Sequence, residues 1–380
     1  MDRLQQMLSG RTNGNGNELT NSIGSVGGGR ISPDGSEYHN SGLGEVRLLA
    51  GNSHPELADL MSKQLGIQLV ETKADRFSNK EIHVQIMENI RRRNMVIIQT
   101  GCNRSGVGND KADGEYSVND FLMETFIMAN ACRLSSVGEI TLVIPCFPYA
   151  RQDKKDVSRA PISGRAVADL LQTVGVTRIV TVDLHAAQIG GFFSIPVDNL
   201  YAVNIMADFL RHHYQLDKPE NREKYILVAP DAGAAKRNDV LASKLSLATA
   251  IMHKSRNHQL KSAVMKSVLV GDEGCVKDKV CIIPDDICDT AGTIVKASQT
   301  LMEHGASSAV VMVVHGVLSG PAIDRLNAAE FISEVIVTNT LPQEENMKRC
   351  PKLKVVDISP LLSEAVRRLY TGESISELFD

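Results

Sequence analysis

Two adjacent carboxylates behind an apolar run are the residues of this chain best placed to do chemistry. The run 280–283 is followed closely by Asp285 and Asp286, and then by a short loop that carries the hydroxyls of Thr290 and Thr293. In open α/β folds, ligands bind at the carboxyl ends of the strands. Backbone N–H groups and hydroxyls at the start of the following helix form a site that attracts phosphate.

The two acids need a different ligand from the loop, because a carboxylate repels a phosphate. Sugar hydroxyls or a metal ion are the natural candidates. A ribose phosphate would satisfy both the acids and the loop. The alternative is a strand followed by an ordinary capped turn, since Asp and Thr are good N-cap residues.

A second polar pair follows the apolar run 179–182. Asp183 and His185 are two residues apart, so in a continuing strand their side chains would point to the same side. They could hold a metal ion, although Mg²⁺ prefers oxygen ligands to imidazole. The alternative is a structural histidine that is satisfied by a backbone carbonyl.

Basic residues cluster in two predicted loops. Lys254 and Arg256 follow the predicted strand 248–252, at the start of a polar loop. Arg151, Gln152, Lys154 and Lys155 follow the predicted strand 140–145. Such residues could neutralise phosphate charge. The alternative for both clusters is a solvated surface.

Strands alternate with helices from Val46 onward, which predicts an α/β fold with mostly parallel sheets covered by helices. The length of 380 residues allows two such domains. We place them at 45–195, with a polar surface insertion at 103–119, and at 196–380. The segment 1–44 is rich in Gly, Asn and Ser, and we expect it to be a disordered extension.

Composition excludes several classes of function. The net charge is only −4, so we expect no nucleic-acid surface. No apolar run approaches the roughly 20 residues that span a bilayer, and we expect no membrane partner. The 7 cysteines are scattered without a CxxC pair, which favours a reducing, cytoplasmic location over a disulfide framework or a zinc site.

The loop after Asp286 resembles the ribose 5-phosphate loop shared by phosphoribosyltransferases and the phosphoribosyl pyrophosphate (PRPP) synthetases, the ribose-phosphate pyrophosphokinases. Further segments resemble the synthetases, of class I type, and have no counterpart in the transferases. The resemblance runs from about Val46 to Phe379. The segments that carry it are 77–81, 145–155, 183–185, 230–233 and 253–256.

The resemblance implies two tandem phosphoribosyltransferase-like domains, with the last segment packing back on the first domain. It implies transfer of the β,γ-diphosphoryl group of ATP to the C1 hydroxyl of ribose 5-phosphate, with Mg²⁺, giving PRPP and AMP. Sugar-phosphate binding falls on Asp285, Asp286, Asp289, Thr290, Ala291, Gly292 and Thr293. ATP binding falls on Phe77, Asn79, Glu81, Arg151, Gln152, Lys154 and Lys155, metal binding on His185, Asp231 and Asp183, and catalysis on Lys254 and Arg256.

Two departures from the family pattern bear on loop shape. Ala234 stands where the family usually carries a glycine, and Ala291 lies within the sugar-phosphate loop. Alanine resists a positive φ. The exact conformation of both loops is therefore open at this point.

The resemblance also implies a hexamer, or a hetero-oligomer with sister subunits, with phosphate as an activator and ADP as an inhibitor. Three other functions stay open. They are a non-catalytic regulatory member of the same family, a phosphoribosyltransferase that consumes PRPP, and a nucleotide-sensing module. The first would lack parts of the loops described above, which this chain retains.

Overall fold

A computed structural model describes most of the chain. It covers residues 43–105, 115–155, 157–255, 266–271 and 274–378. Most of the predicted disordered extension, and Arg256, lie outside these residues. No helix in the described part of the chain is long and apolar enough to cross a membrane.

The first sheet has five parallel strands in the order β1-β4-β7-β8-β9. Strands β2 and β3 form a separate antiparallel hairpin, and β5 and β6 form a second, shorter pair. The strands are β1 Val46–Ala50, β2 Thr72–Arg76, β3 Ile82–Ile86, β4 Asn94–Ile98, β5 Arg104–Ser105, β6 Glu115–Tyr116, β7 Ile140–Val143, β8 Arg178–Val182 and β9 Val197–Leu200.

Three helices accompany this sheet, and two more lead to the second. They are α1 Pro55–Leu65, α2 Val118–Leu134, α3 Ser163–Thr173, α4 Val203–His213 and α5 Pro219–Arg222. Helix α2 begins with a capping box, in which Ser117 accepts from the backbone N–H of Asp120 and Asp120 accepts from that of Ser117.

The second sheet has seven strands in the order β12-β11-β10-β13-β14-β15-β16, parallel except for β12 at one edge. Its strands are β10 Tyr225–Ala229, β11 Ala248–Ser255, β12 Lys266–Val270, β13 Val280–Cys288, β14 Ser308–Gly316, β15 Ile332–Thr338 and β16 Leu353–Val356. Its helices are α6 Ala235–Leu245, α7 Gly292–Glu303, α8 Ala322–Ala328, α9 Glu344–Arg349 and α10 Ser359–Thr371. The predicted α/β class with mostly parallel sheets is confirmed.

Three sequence-based boundaries need correction. Strand β9 pairs with β8, so the first sheet extends past the predicted domain boundary at 195. Leu43 is buried and begins a 3-10 turn, so order starts before 45. The predicted surface insertion 103–119 contains Tyr116, which is 1% exposed, because its ring packs against Phe121.

One apolar cluster is shared by both sheets. It contains Val96 and Val182 from the first sheet, and Ile282 and Ile336 from the second. Burial of this much apolar surface is the dominant stabilising contribution to the fold. The two sheets therefore pack on a common core.

The C-terminal helix α10 joins this shared core and contacts the first half of the chain. Ser359, at its start, accepts a hydrogen bond of 2.8 Å from the amide of Gln64 in α1. Tyr370, near its end, lies 2.8 Å from the hydroxyl of Thr141 in β7. Its apolar side, which includes Leu362, faces the core.

We expect the substitution Leu362→Ala to lower the free energy of unfolding by about 2–5 kcal/mol, because it leaves a cavity in the shared core. Leu362 is 0% exposed. The matched control is Leu134→Ala, at a leucine that is 73% exposed and should change little. Urea denaturation measures both, and equal effects would contradict the packing of α10 described above.

Candidate functional site

A polar cleft of about 580 Å³ lies where the carboxyl ends of strands from both sheets meet. Loops after β7 and β8 form one wall, and loops after β10 and β13 form the other. The lining residues include Arg151, Asp153, Lys154, His185, Gln188, Asp231, Arg237, Asp285, Asp286, Asp289, Thr290, Ala291, Gly292 and Thr293.

Strand β13 brings the adjacent acids to the cleft. Pro284 lies in this strand beyond Ile282, the last residue that pairs with β10, so its missing N–H costs that ladder nothing. Asp286 is 8% exposed, and its Oδ2 lies 2.6 Å from Nδ1 of His185. This contact joins the end of β8 to the end of β13.

The two acids have opposite protonation tendencies. Burial raises the pKa of Asp285, and the neighbouring charge of Asp286 raises it further, to about 7. Burial would also raise the pKa of Asp286, but the hydrogen bond from His185 and the charge of Arg237 lower it. The same hydrogen bond raises the pKa of His185. One acid therefore stays ionised beside an acid that titrates close to neutral pH.

Asp183 does not line the cleft with His185, contrary to the sequence-based expectation. It is 3% exposed, and it accepts a hydrogen bond of 2.7 Å from the backbone N–H of Ala202. The reason is local: β8 ends at Val182, and Asp183 has a φ of 41°, so the side-to-side alternation of a strand stops there. Asp183 holds the backbone behind the site.

Arg237 is a site residue that the sequence analysis did not single out. Its guanidinium lies 3.7 Å from Asp183 Oδ1 and 3.7 Å from Asp286 Oδ1. It stands in the first turn of α6, where helical side chains point back toward the N-terminus and where a positive charge opposes the helix dipole. A basic residue in that unfavourable position was the available signal.

The loop after β13 is held by residues from three other segments. The carboxylate of Asp289 accepts a hydrogen bond of 2.8 Å from Arg151 and another from the hydroxyl of Ser319. The carbonyl of Thr290 accepts one of 2.9 Å from Arg325. Ser319 and Arg325 were not predicted as site residues, since nothing in their local sequence marks them.

Two small residues at the start of α7 allow this loop its shape. Ala291, which is buried, has a φ of 58°, a left-handed conformation that is unfavourable for alanine. A Cβ on Gly292 would lie 3.2 Å from the guanidinium of Arg325. The exposed side chains of Thr290 and Thr293 flank these two residues and line the cleft. By contrast, Ala234 has an ordinary φ of −83°, so the loop before α6 needs no glycine there.

The predicted ATP-binding residues fall into two groups. Arg151 and Lys154 line the cleft, whereas Gln152 and Lys155 are outside the set of described lining residues. The other three, Phe77, Asn79 and Glu81, lie in the β2–β3 turn, also outside that set.

The β2–β3 turn has an ordered conformation with an exposed ring. The backbone N–H of Phe77 donates to the carbonyl of Glu81 over 2.9 Å, and that of Glu81 donates to the Asn79 side chain over 3.2 Å. The Phe77 side chain is 55% exposed.

The two predicted catalytic residues are only partly described. The backbone of Lys254 belongs to β11 and pairs with Ser267 of β12. Its side chain, and the whole of Arg256, lie outside the described residues. Strand β11 neighbours β10, and the segment that follows β10 carries Asp231, which lines the cleft.

The described residues fit a magnesium ion that is held mainly by the phosphate oxygens of a bound nucleotide and by water, with few protein ligands. No group of three His, Cys, Asp or Glu side chains that could hold a metal occurs among them. His185 and Asp231 both line the cleft, and the ring of His185 uses only Nδ1 for Asp286. Mg²⁺ often takes one or two protein ligands and completes its shell with phosphate oxygens and water.

Comparisons with known proteins agree over most of the chain. Residues 46–175 match the family model for the N-terminal domain of ribose phosphate pyrophosphokinase. Residues 265–380 match that for the phosphoribosyl synthetase-associated domain.

Two curated relatives and one solved structure are similar to nearly the whole length. Ribose-phosphate pyrophosphokinase 4 of Saccharomyces cerevisiae is 48% identical over 89% of this chain and 95% of its own. Ribose-phosphate pyrophosphokinase 2 of Schizosaccharomyces pombe is 46% identical over 88% and 97%. The crystal structure of phosphoribosylpyrophosphate synthetase from Mycobacterium smegmatis superposes with a TM-score of 0.75, at 40% identity, over 86% of this chain and 99% of that one.

Proposed function

Since the chain belongs to the family of ribose-phosphate pyrophosphokinases, transferases of nucleotide biosynthesis that form PRPP, we propose that its cleft holds ribose 5-phosphate against ATP. The observation that carries this proposal is the composition of the two walls. Paired acids and a hydroxyl-bearing loop at a helix start form one wall, and Arg151, Lys154 and His185 lie on the other.

The sugar phosphate binds along the wall that follows β13. The 5-phosphate sits on the loop 289–293, where the backbone N–H groups at the start of α7 and the Thr290 and Thr293 hydroxyls donate to its oxygens. Asp285 and Asp286 accept from the ribose hydroxyls. Because Arg151 offsets the charge of Asp289 and Ser319 donates a hydrogen bond to it, that carboxylate repels the phosphate less than an unpaired one would.

ATP binds along the facing wall, with Arg151 and Lys154 beside its phosphates. Phe77 offers an exposed ring to the adenine, and Asn79 and Glu81 offer polar edges. These three residues would act from a neighbouring subunit, which accounts for their absence from the lining of the cleft of their own chain. Gln152 and Lys155 contribute more loosely, through contacts with the nucleotide or at a regulatory site.

Two of the predicted metal ligands, His185 and Asp231, line the cleft and would hold Mg²⁺ together with the ATP phosphates. The ion would neutralise charge on the transferring group. Asp183 is not available as a ligand, because Ala202 and Arg237 already engage its buried carboxylate. The hydrogen bond that His185 donates to Asp286 orients the His185 ring.

The reaction is a displacement at the β-phosphorus by the C1 hydroxyl of the sugar. The new bond joins that oxygen to phosphorus, AMP leaves, and the hydroxyl proton is lost to solvent or to a cleft base. Positioning and charge neutralisation do most of the work in phosphoryl transfer. Lys254 and Arg256 supply positive charge beside the phosphate oxygens on which negative charge develops in the transition state.

The test of this assignment is a chromatographic assay of the purified protein with ATP and ribose 5-phosphate. We expect equal amounts of AMP and PRPP, none in the presence of EDTA, and recovery when Mg²⁺ is restored in excess. Repeating the assay with inorganic phosphate and with ADP tests the two proposed effectors. ATP binding without AMP formation would contradict the assignment and favour a regulatory or nucleotide-sensing protein.

We expect Lys254→Ala to lower kcat by at least about 100-fold, the loss typical of one transition-state donor. The dissociation constant for ribose 5-phosphate, measured by calorimetry, should change less than about twofold, because the sugar wall is untouched. Lys354→Ala, at an exposed lysine in the edge strand β16, is the matched control. An unchanged kcat in Lys254→Ala would refute the catalytic role.

We also propose that the chain assembles into a hexamer, alone or with sister subunits. The support is the family resemblance, together with the placement of Phe77 outside the cleft of its own chain. Light scattering after size-exclusion chromatography measures the mass of the assembly. A stable, active monomer would contradict both the hexamer and the role of Phe77 in a neighbouring site.

A cytoplasmic location is proposed on chemical grounds. All seven cysteines are free, and most of them are buried. Free thiols persist in a reducing compartment. Cell fractionation followed by the AMP assay would detect activity in the cytosolic fraction, and its recovery elsewhere would overturn this placement.

A further inference from the structure

Arg76, the last residue of β2, is a buried cation at the base of the hairpin that carries Phe77. Its side chain is 5% exposed. Its guanidinium carbon lies 3.6 Å from the centre of the Tyr116 ring, and a carboxylate oxygen of Asp120 is 3.9 Å from its Nη1. Its Nε has no hydrogen-bond partner within the described residues. The ring is therefore its closest stabilising contact.

Tyr116 is itself fixed by its surroundings. It is 1% exposed and stacks on Phe121 of α2, with ring centroids 5.5 Å apart and planes inclined by 23°. In the β5–β6 pair it stands opposite Arg104. Arg104 donates a hydrogen bond of 2.8 Å to Glu56 of α1 and one of 3.2 Å to the carbonyl of Ser53.

The two opposed residues thus hold different parts of the molecule. Arg104 binds residues at the start of α1, and Tyr116 packs on Arg76 at the end of β2. A cation over an aromatic face is more strongly stabilised when both are withdrawn from water. Without the ring, Arg76 would be a buried charge whose one ion pair within the described residues is long, and burial of such a charge is unfavourable.

We infer that Tyr116 and Arg76 form a positioning pair that sets the β2–β3 hairpin, and with it the adenine contacts of Phe77, Asn79 and Glu81. The inference rests on the proposed nucleotide role of that hairpin. The inference assigns a role to the β6 strand of the polar insertion 103–119, because this strand carries Tyr116. Neither residue touches the substrates, so both act through the turn next to Arg76.

The test compares Tyr116→Leu with Tyr116→Phe, which keeps the ring. We expect Tyr116→Leu to raise the KM for ATP about tenfold while the KM for ribose 5-phosphate changes less than about twofold, because the hairpin residues are proposed to contact the adenine and not the sugar phosphate. Tyr116→Phe should restore the KM for ATP to within about threefold of the parent value. Tyr225→Leu, at a partly buried tyrosine of the second sheet that packs on Tyr214, controls for the loss of a tyrosine ring elsewhere in the fold.

Hydrogen exchange of peptides spanning 72–86 separates the contact from the function. Exchange there should speed up about tenfold or more in Tyr116→Leu and stay unchanged in Tyr116→Phe and Tyr225→Leu. If Tyr116→Leu does not fold, Arg76→Gln removes the cation instead. We then expect the same rise in the KM for ATP and the same faster exchange over 72–86.

Three outcomes would overturn the inference. They are unchanged exchange over 72–86 in Tyr116→Leu, an unchanged KM for ATP, and an equal rise in both KM values, which would signal general loosening. Absence of AMP formation by the parent protein would refute the proposed function alone, since the exchange measurement would still decide whether the ring fixes the hairpin.

Discussion

The hydrogen bond between His185 and Asp286 is the contact around which the site is organised, because it ties the last residues of a strand in one sheet to those of a strand in the other. Asp286 is ionised in a buried place, and that is tolerated only because His185 and Arg237 both face it. The same carboxylate orients the imidazole toward the cleft. If this hydrogen bond were lost, the buried charge of Asp286 would be less well compensated, and the two walls of the cleft would no longer be joined at this point.

Polar contacts continue this joint behind the site. The buried His315 of β14 lies 3.0 Å from the carbonyl of Val182 through Nε2 and 3.0 Å from the Thr340 hydroxyl through Nδ1. Burial lowers the pKa of His315 to about 4, so the ring is neutral and donates from Nε2 to the carbonyl. It therefore braces the end of β8, where Asp183 turns away from the strand. Thr100 adds a 2.8 Å hydrogen bond to the carbonyl of Thr340.

Much of the fold could be predicted from the sequence, since it is encoded locally. Apolar runs of strand length, amphipathic helices and short Gly- and Pro-bearing turns gave the α/β class and the strand ends that carry His185, Asp231 and Asp285. What the sequence could not give depends on contacts between distant segments. Ser319 and Arg325 belong to the site only because β14 lies beside β13.

The errors have equally specific causes. The sequence pattern predicts that Asp183 and His185 face the same side, which requires the strand to continue through His185, but the strand ends at Val182 and the positive φ of Asp183 stops the alternation. The burial of Tyr116 is not predictable from its surroundings, because a single aromatic residue among Gly, Asp and Asn shows no periodicity. Strand β9 was missed because Val197–Leu200 includes Asp198 and Asn199, which are uncommon in strands. Assignment of the ligands to individual residues stays a prediction.

The left-handed Ala291 has a further consequence for how the sugar-phosphate loop meets its ligand. Holding a non-glycine residue there costs about 1–2 kcal/mol, and the folded chain bears that cost at all times, not only when the cleft is filled. The loop therefore already has its binding conformation before the sugar phosphate arrives, and it loses little conformational entropy when the ligand binds. The φ angle of Ala291 thus lowers the stability of the folded chain and, in return, lowers the entropy cost of binding the phosphate.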